Sequence, residues 1–210
     1  MRLTGHVKGL KKGTLMLQKI EDTLLVTVDS IKINGDGNFS FNEELVSPEV
    51  YYLYLYLENG TLLDERISFF AESGDIHIET SLKKFPMDAL ITGSKNQEKL
   101  IEFNALMERY NDKNLTLIEE YLEAIKEGRD SLISASEAKQ ESLLKSRYLA
   151  AVNFGLNHKD YELTPYLLVY ELNNLSTKYM DTIYTSLSPK IKDSKYGKAL
   201  ESLVKSRKEE

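Results

Sequence analysis

Apolar and polar positions alternate with a period of two over residues 1–92, then recur at intervals of three and four over residues 93–210. The first pattern is that of strands with one face buried, the second that of amphipathic helices. In Arg2 to Lys8, Leu3, Gly5 and Val7 share one face, opposite Arg2, Thr4 and His6. In Thr14 to Ile20, Leu15 and Leu17 (with Lys19) oppose Met16, Gln18 and Ile20. Gly9 to Gly13 between these runs reads as the turn of an antiparallel pair. Leu24 to Ile33 is β-branched and apolar, with a bulge expected at Asp29-Ser30. Asn34-Gly-Asp-Gly-Asn38 reads as a hairpin turn into Phe39-Ser-Phe41, because Gly and Asn tolerate positive φ.

Val50 to Leu57 alternates most clearly. Tyr51, Leu53, Leu55 and Leu57 fall on one face, and Tyr52, Tyr54 and Tyr56 form a tyrosine ladder on the other. Such a ladder can stack on a sugar or peptide. It can equally be covered by a neighbouring layer, since tyrosine packs well on pleated surfaces. Asn59-Gly60 closes that strand, and Arg66 to Phe70 with Asp75 to Thr80 predicts a further pair around Glu72-Ser-Gly-Asp75. Seven or eight short strands separated by turn signals predict a β-sandwich or open barrel.

The join falls at Ile91-Thr-Gly-Ser94, with Ser94 as N-cap and Gln97 completing a capping box. Leu100, Phe103, Leu106, Met107 and Tyr110 begin an apolar stripe that Leu117, Ile118, Tyr121, Leu122 and Ile125 extend to a stop at Gly128. A second helix follows Asp130 and ends near Gly155. A third opens at Thr164-Pro165, with threonine as cap, and breaks at Asn173-Asn174. Short helices near Thr177–Leu187 and Ser194–Lys205 finish the chain. The expected class is therefore α+β: an N-terminal antiparallel β-sandwich or open barrel over residues 1–92, then a C-terminal α-helical bundle over residues 93–210.

Composition narrows the function. The 210 residues are 41% hydrophobic and 29% charged, as in a globular protein, and net charge is −6. A nucleic-acid partner is not expected, because Lys8 to Lys12 and Lys205 to Lys208 are too short to form a basic face. No apolar run approaches the roughly 20 residues of a membrane helix. There is no cysteine, which removes thiol chemistry, disulfides and thiolate metal sites from these residues.

The remaining motifs do not select a catalytic site. His6, His77 and His158 are far apart in sequence, although His6 and His77 could meet on one sheet, and no ligand spacing accompanies them. The Asn34/Asp36/Asn38 spacing departs from a calcium loop, with Phe39 where glycine is needed and Leu45 where the bidentate glutamate is needed. Ser81/Lys84 and Ser142/Lys145 match Ser-x-x-Lys but lack the companion elements of serine acyl-transfer enzymes. Glu119-Glu120, Asp64-Glu65 and Glu209-Glu210 are adjacent carboxylates, which do not face one another on a helix. No catalytic residue, metal or cofactor is expected. The tyrosine ladder is the candidate binding surface for a protein, peptide or glycan.

The order Leu3-Thr-Gly-His-Val-Lys-Gly9, Gly13-Thr-Leu-Met-Leu17, Asp36-Gly-Asn-Phe-Ser-Phe41, Tyr51 to Leu57, Ile67-Ser-Phe-Phe70, Asp75-Ile-His-Ile78 and Ile91-Thr-Gly-Ser94 resembles the DUF4369 family of Bacteroidetes cell-envelope domains. The resemblance covers residues 1 to about 96. It implies an exported chain in the periplasm or at the outer membrane, with a lipid anchor in the precursor. It also implies a domain that typically precedes a thioredoxin-like Cys-x-x-Cys module. Redox activity does not transfer to a chain without cysteine, so two roles follow: a non-catalytic module that binds or positions a partner, or the accessory N-terminal part of a thiol–disulfide oxidoreductase. O-glycosylation at Asp22-Thr-Leu24, Asp29-Ser-Ile31, Asp130-Ser-Leu132 and Asp181-Thr-Ile183 is a further implication of the same resemblance.

Overall fold

The period-two region forms strands whose apolar faces meet in one core. The structure, a computed structural model, describes residues 1–57 and 66–209. The Asn59-Gly60 turn, the Asp64-Glu65 pair and Glu210 therefore lie outside the described residues. The chain divides into two compact units, Met1–Glu98 and Lys99–Glu210.

The first unit contains β1 (Arg2–Lys8), β2 (Lys12–Glu21), β3 (Leu24–Asn34), β4 (Asn38–Asn42), β5 (Glu49–Tyr56), β6 (Ile67–Ala71), β7 (Asp75–Ser81) and β8 (Leu90–Thr92). They form two four-stranded sheets, ordered β4-β1-β7-β8 and β3-β2-β5-β6. Leu3, Val7, Phe39, Phe41, Ile76 and Ile78 from the first sheet share a core with Leu15, Leu17, Tyr51, Leu53, Leu55 and Phe69 from the second. Pairing is antiparallel except between β1 and β7, which run parallel with Leu3 beside Ile76.

Three expected hairpins are corners between the sheets. β1 does not pair with β2, β3 does not pair with β4, and β6 does not pair with β7; in each case the two strands belong to different sheets. At the first corner Leu10, only 1% exposed, is drawn into the core between Gly9 and Gly13 and turns the chain across the sandwich. The corner is tied down by the Leu10 N–H donating to the Val7 carbonyl (3.1 Å) and the Gly35 N–H donating to the Lys11 carbonyl (2.9 Å). The tight β2–β3 hairpin instead turns at Asp22 (φ 55°), with Glu21 opposite Leu24. The bulge in β3 is at Val28, one residue before the expected Asp29: Leu17 pairs with Asp29 and Gln18 with Thr27, leaving Val28 unmatched.

The helices are α1 (Lys95–Lys126), α2 (Asp130–Asn157), α3 (Leu163–Tyr166), α4 (Thr177–Ser186), α5 (Pro189–Lys192) and α6 (Lys195–Glu209), with a π-helical segment over Leu167–Glu171. Gly128 ends α1 as expected, at φ 66°; the Arg129 N–H reaches the Ala124 carbonyl (2.9 Å) and the Gly128 N–H the Ile125 carbonyl (3.1 Å). Thr164 does not cap a helix. It lies inside α3, and its hydroxyl donates to the His158 carbonyl (2.7 Å). Phe154, Leu163, Leu168, Met180, Ile183, Leu187, Ile191 and Leu200 are buried in the second unit.

Candidate functional site

Strand β5 lies between β2 and β6, so its backbone is paired on both sides and only its side chains are available to a partner. Tyr51, Leu53 and Leu55 point into the core and are fully buried. On the opposite face Tyr52 and Tyr54 are half-buried and Tyr56 is 39% exposed. The register sets Gln18 and Ser68 beside Tyr52, Met16 beside Tyr54, and Thr14 beside Tyr56. The Arg66 guanidinium lies over the Tyr54 ring, 5.0 Å from its centroid, a cation–π arrangement that orients the ring. The Gln18 amide nitrogen donates to the Thr27 hydroxyl (3.0 Å), while its buried oxygen meets no donor among the described residues. The ladder read from the sequence is thus one continuous face, with both aromatic and hydrogen-bonding groups.

His6 and His77 are on adjacent strands of the first unit, and His158 follows α2 in the second. His6 and His77 lie on the outer face of the first sheet, where Thr4 is in register with His77 and His6 with Glu79. The His77 ring bridges the Thr4 hydroxyl (Nδ1, 3.0 Å) and the Glu79 carboxylate (Nε2, 2.8 Å), and His6 bonds Asn38 (3.0 Å). A hydroxyl, imidazole and carboxylate in sequence have the composition of a nucleophilic triad. Here they lie on the outer face of β1 and β7, two interior strands paired on both sides in the sheet ladder. His158 stacks on Phe154 with ring centroids 4.1 Å apart and donates from Nδ1 to the Phe154 carbonyl (2.8 Å). Among the described residues no three His, Asp or Glu side chains converge to hold a metal ion.

The other motifs are engaged locally. The Ser81 hydroxyl donates to Asp88 (2.6 Å), and Glu120 pairs with Lys139 (2.9 Å). Two cavities of about 390 and 460 Å³ lie between α1 and α2; Glu120, Glu123, Glu127, Arg129 and Lys139 line the first, and Lys113, Ser142 and Ser146 the second. Neither has a histidine in its wall. Asp36 accepts hydrogen bonds from the Asn38 backbone and side chain, which hold its carboxyl below the ordinary aspartate value. Thr23, Ser30, Ser131 and Thr182, the hydroxyl residues of the four Asp-Ser/Thr tripeptides, are all exposed.

Sequence reading missed the network that starts α1. The Ser94 hydroxyl accepts the Gln97 N–H (3.1 Å), as an N-cap should. The Gln97 side chain does not close a capping box; its oxygen accepts the Phe70 N–H from β6 (2.9 Å). Glu72 supplies the remaining acceptors, to Lys95 N–H (2.8 Å), Asn96 N–H (3.1 Å) and the Asn96 amide (2.8 Å). Gly93 holds φ 92°, and a Cβ there would collide with the Asp75 carbonyl oxygen. Turn composition at Glu72-Ser-Gly-Asp75 was visible, but its acceptor role depends on a tertiary contact.

A family model described as a domain of unknown function, DUF4369, matches residues 1–100. Residues 1–100 are a DUF4369 domain. Both sheets and the Glu72–Ser94–Gln97 network lie within it, so the DUF4369 region ends beyond the last strand, inside α1. The tyrosine face and the Thr4–His77–Glu79 chain also fall within the matched residues. No match was found among curated proteins or among solved structures.

Proposed function

We propose that the chain is a non-catalytic cell-envelope module that binds or positions a partner through the Tyr52/Tyr54/Tyr56 face of its DUF4369 domain. The observation behind this reading is the division of labour along β5: one row of side chains is fully buried in the core, and the other leaves aromatic surface accessible. Alternate residues on a strand are about 6.8 Å apart, so three rings in line suit an extended ligand, a glycan or a peptide segment. Arg66 over Tyr54 and the polar neighbours Thr14 and Ser68 add hydrogen-bonding groups to the apolar rings. The motif resemblance supports a periplasmic or outer-membrane-associated location with a lipid-anchored precursor. Among the described residues no helix is long and apolar enough to cross a membrane.

The test is a screen of the intact chain against a polysaccharide panel and a peptide library, repeated with Tyr54→Ala and Tyr56→Ala. Loss of an anchoring aromatic typically costs 1 kcal/mol or more of binding, so about tenfold weaker binding is expected for each variant. A ligand bound equally well by wild type and both variants would place recognition elsewhere.

A further inference from the structure

The apolar stripe expected along α1 is two stripes. Phe103, Met107, Tyr110, Leu117, Tyr121 and Ala124 form one, and all are buried or half-buried. Leu115, Ile118, Leu122 and Ile125 form the other and are 59, 38, 58 and 47% exposed. Ile118, Leu122 and Ile125 are therefore not core residues, although their spacing placed them there. Together the two stripes make an apolar arc wider than the neighbouring helix covers. The exposed positions recur at three, four and three, the a/d spacing of a coiled-coil seam, and span about 15 Å of helix.

The charges at the two ends of this seam are self-complementary. Asp112, Glu119 and Lys126 follow one flank at heptad spacing, and neither Asp112 nor Lys126 has an ion-pair partner among the described residues. We infer that the seam is a self-association surface whose occupant is the same segment of a second copy, running antiparallel. A two-fold axis near residue 120 sets Leu115 against Ile125 and Ile118 against Leu122, each contact occurring twice. The same operation brings Asp112 beside Lys126 of the second copy at both ends, opposite charges across an interface being the arrangement that selects a partner. Glu119 meets its own counterpart at the centre, a like-charge contact that weakens the pair. The seam is short, so the dimer is weak and concentration-dependent.

Sedimentation equilibrium of the intact chain from micromolar to millimolar concentration tests this. A monomer–dimer equilibrium is expected. Asp112→Lys should weaken it about tenfold, since it replaces two attractive contacts by two repulsive ones. Adding Lys126→Asp to that variant should restore it, and Glu119→Gln should tighten the wild-type dimer. Far-ultraviolet circular dichroism confirms that each surface variant folds; if Asp112→Lys misfolds, the Glu119→Gln arm decides. A monomer at every concentration, a dimer indifferent to Asp112→Lys, or a loss that Lys126→Asp does not reverse would each overturn the inference.

Discussion

Tyr51 shows how one residue reports on the core. It points inward from β5, its hydroxyl lies 3.4 Å from Glu43, and Lys19 lies 5.9 Å from its ring centroid. Burial first, then the nearby Glu43 and Glu49 carboxylates, push its phenol well above the ordinary tyrosine value. For Lys19, partial burial disfavours the charge, but the bond to Glu21 and the fields of Glu49, Glu21 and Glu43 outweigh it and hold the ammonium above the usual lysine value. The sign for Tyr51 follows from linkage. Its folded-state value is raised, so its contribution is complete below the unfolded value of about 10 and is lost as pH rises through the folded value. Above about pH 10 the unfolded chain releases this proton first and stability falls. Tyr51→Phe removes that component, and urea unfolding at pH 8 and pH 11 should show a smaller alkaline loss than in wild type. An unchanged alkaline loss would mean that Tyr51 does not ionise on unfolding.

At the scale of elements, the N-terminus of α1 depends on residues from a turn 23 positions earlier. Glu72 satisfies two of the N–H groups that a helix start leaves unpaired and places a negative charge at the positive end of the helix dipole. Glu72→Ala should cost about 1–2 kcal/mol in thermal or chemical unfolding, in line with loss of a helix cap. A change below a few tenths would show that water replaces it.

The elements themselves were legible in the sequence, because period and composition act within a few residues. Alternation set the strands, and the three-to-four repeat set the helices. Their partners were not legible. The glycine-rich turns after β1, β3 and β6 announce a reversal, but whether the chain returns in the same sheet or crosses to the other depends on tertiary packing, as the burial of Leu10 shows at the first. The same limit explains Ile118, Leu122 and Ile125: periodicity identifies an apolar face, and only tertiary packing determines how much of that face is covered. Of the candidate site, the tyrosine row was readable from alternation alone. Arg66 over Tyr54 and the acceptors of Glu72 required the fold.

For the molecule as a whole, the sequence has no cysteine, and no metal-holding cluster lies among the described residues. The proposed role rests on one separation within β5, between an inner row that holds the first unit's core together and an outer row that leaves aromatic surface accessible. The most direct measurement is urea unfolding of the intact chain carrying Leu53→Ala or Tyr54→Ala, two adjacent residues that face opposite ways. Leu53→Ala should lose about 2–5 kcal/mol, the cost of a cavity in a packed core. Tyr54→Ala should lose less than about 1 kcal/mol, the scale of a cross-strand contact on a sheet face. If Tyr54→Ala destabilises the protein as much as Leu53→Ala, the outer row is structural and the proposed binding face is contradicted.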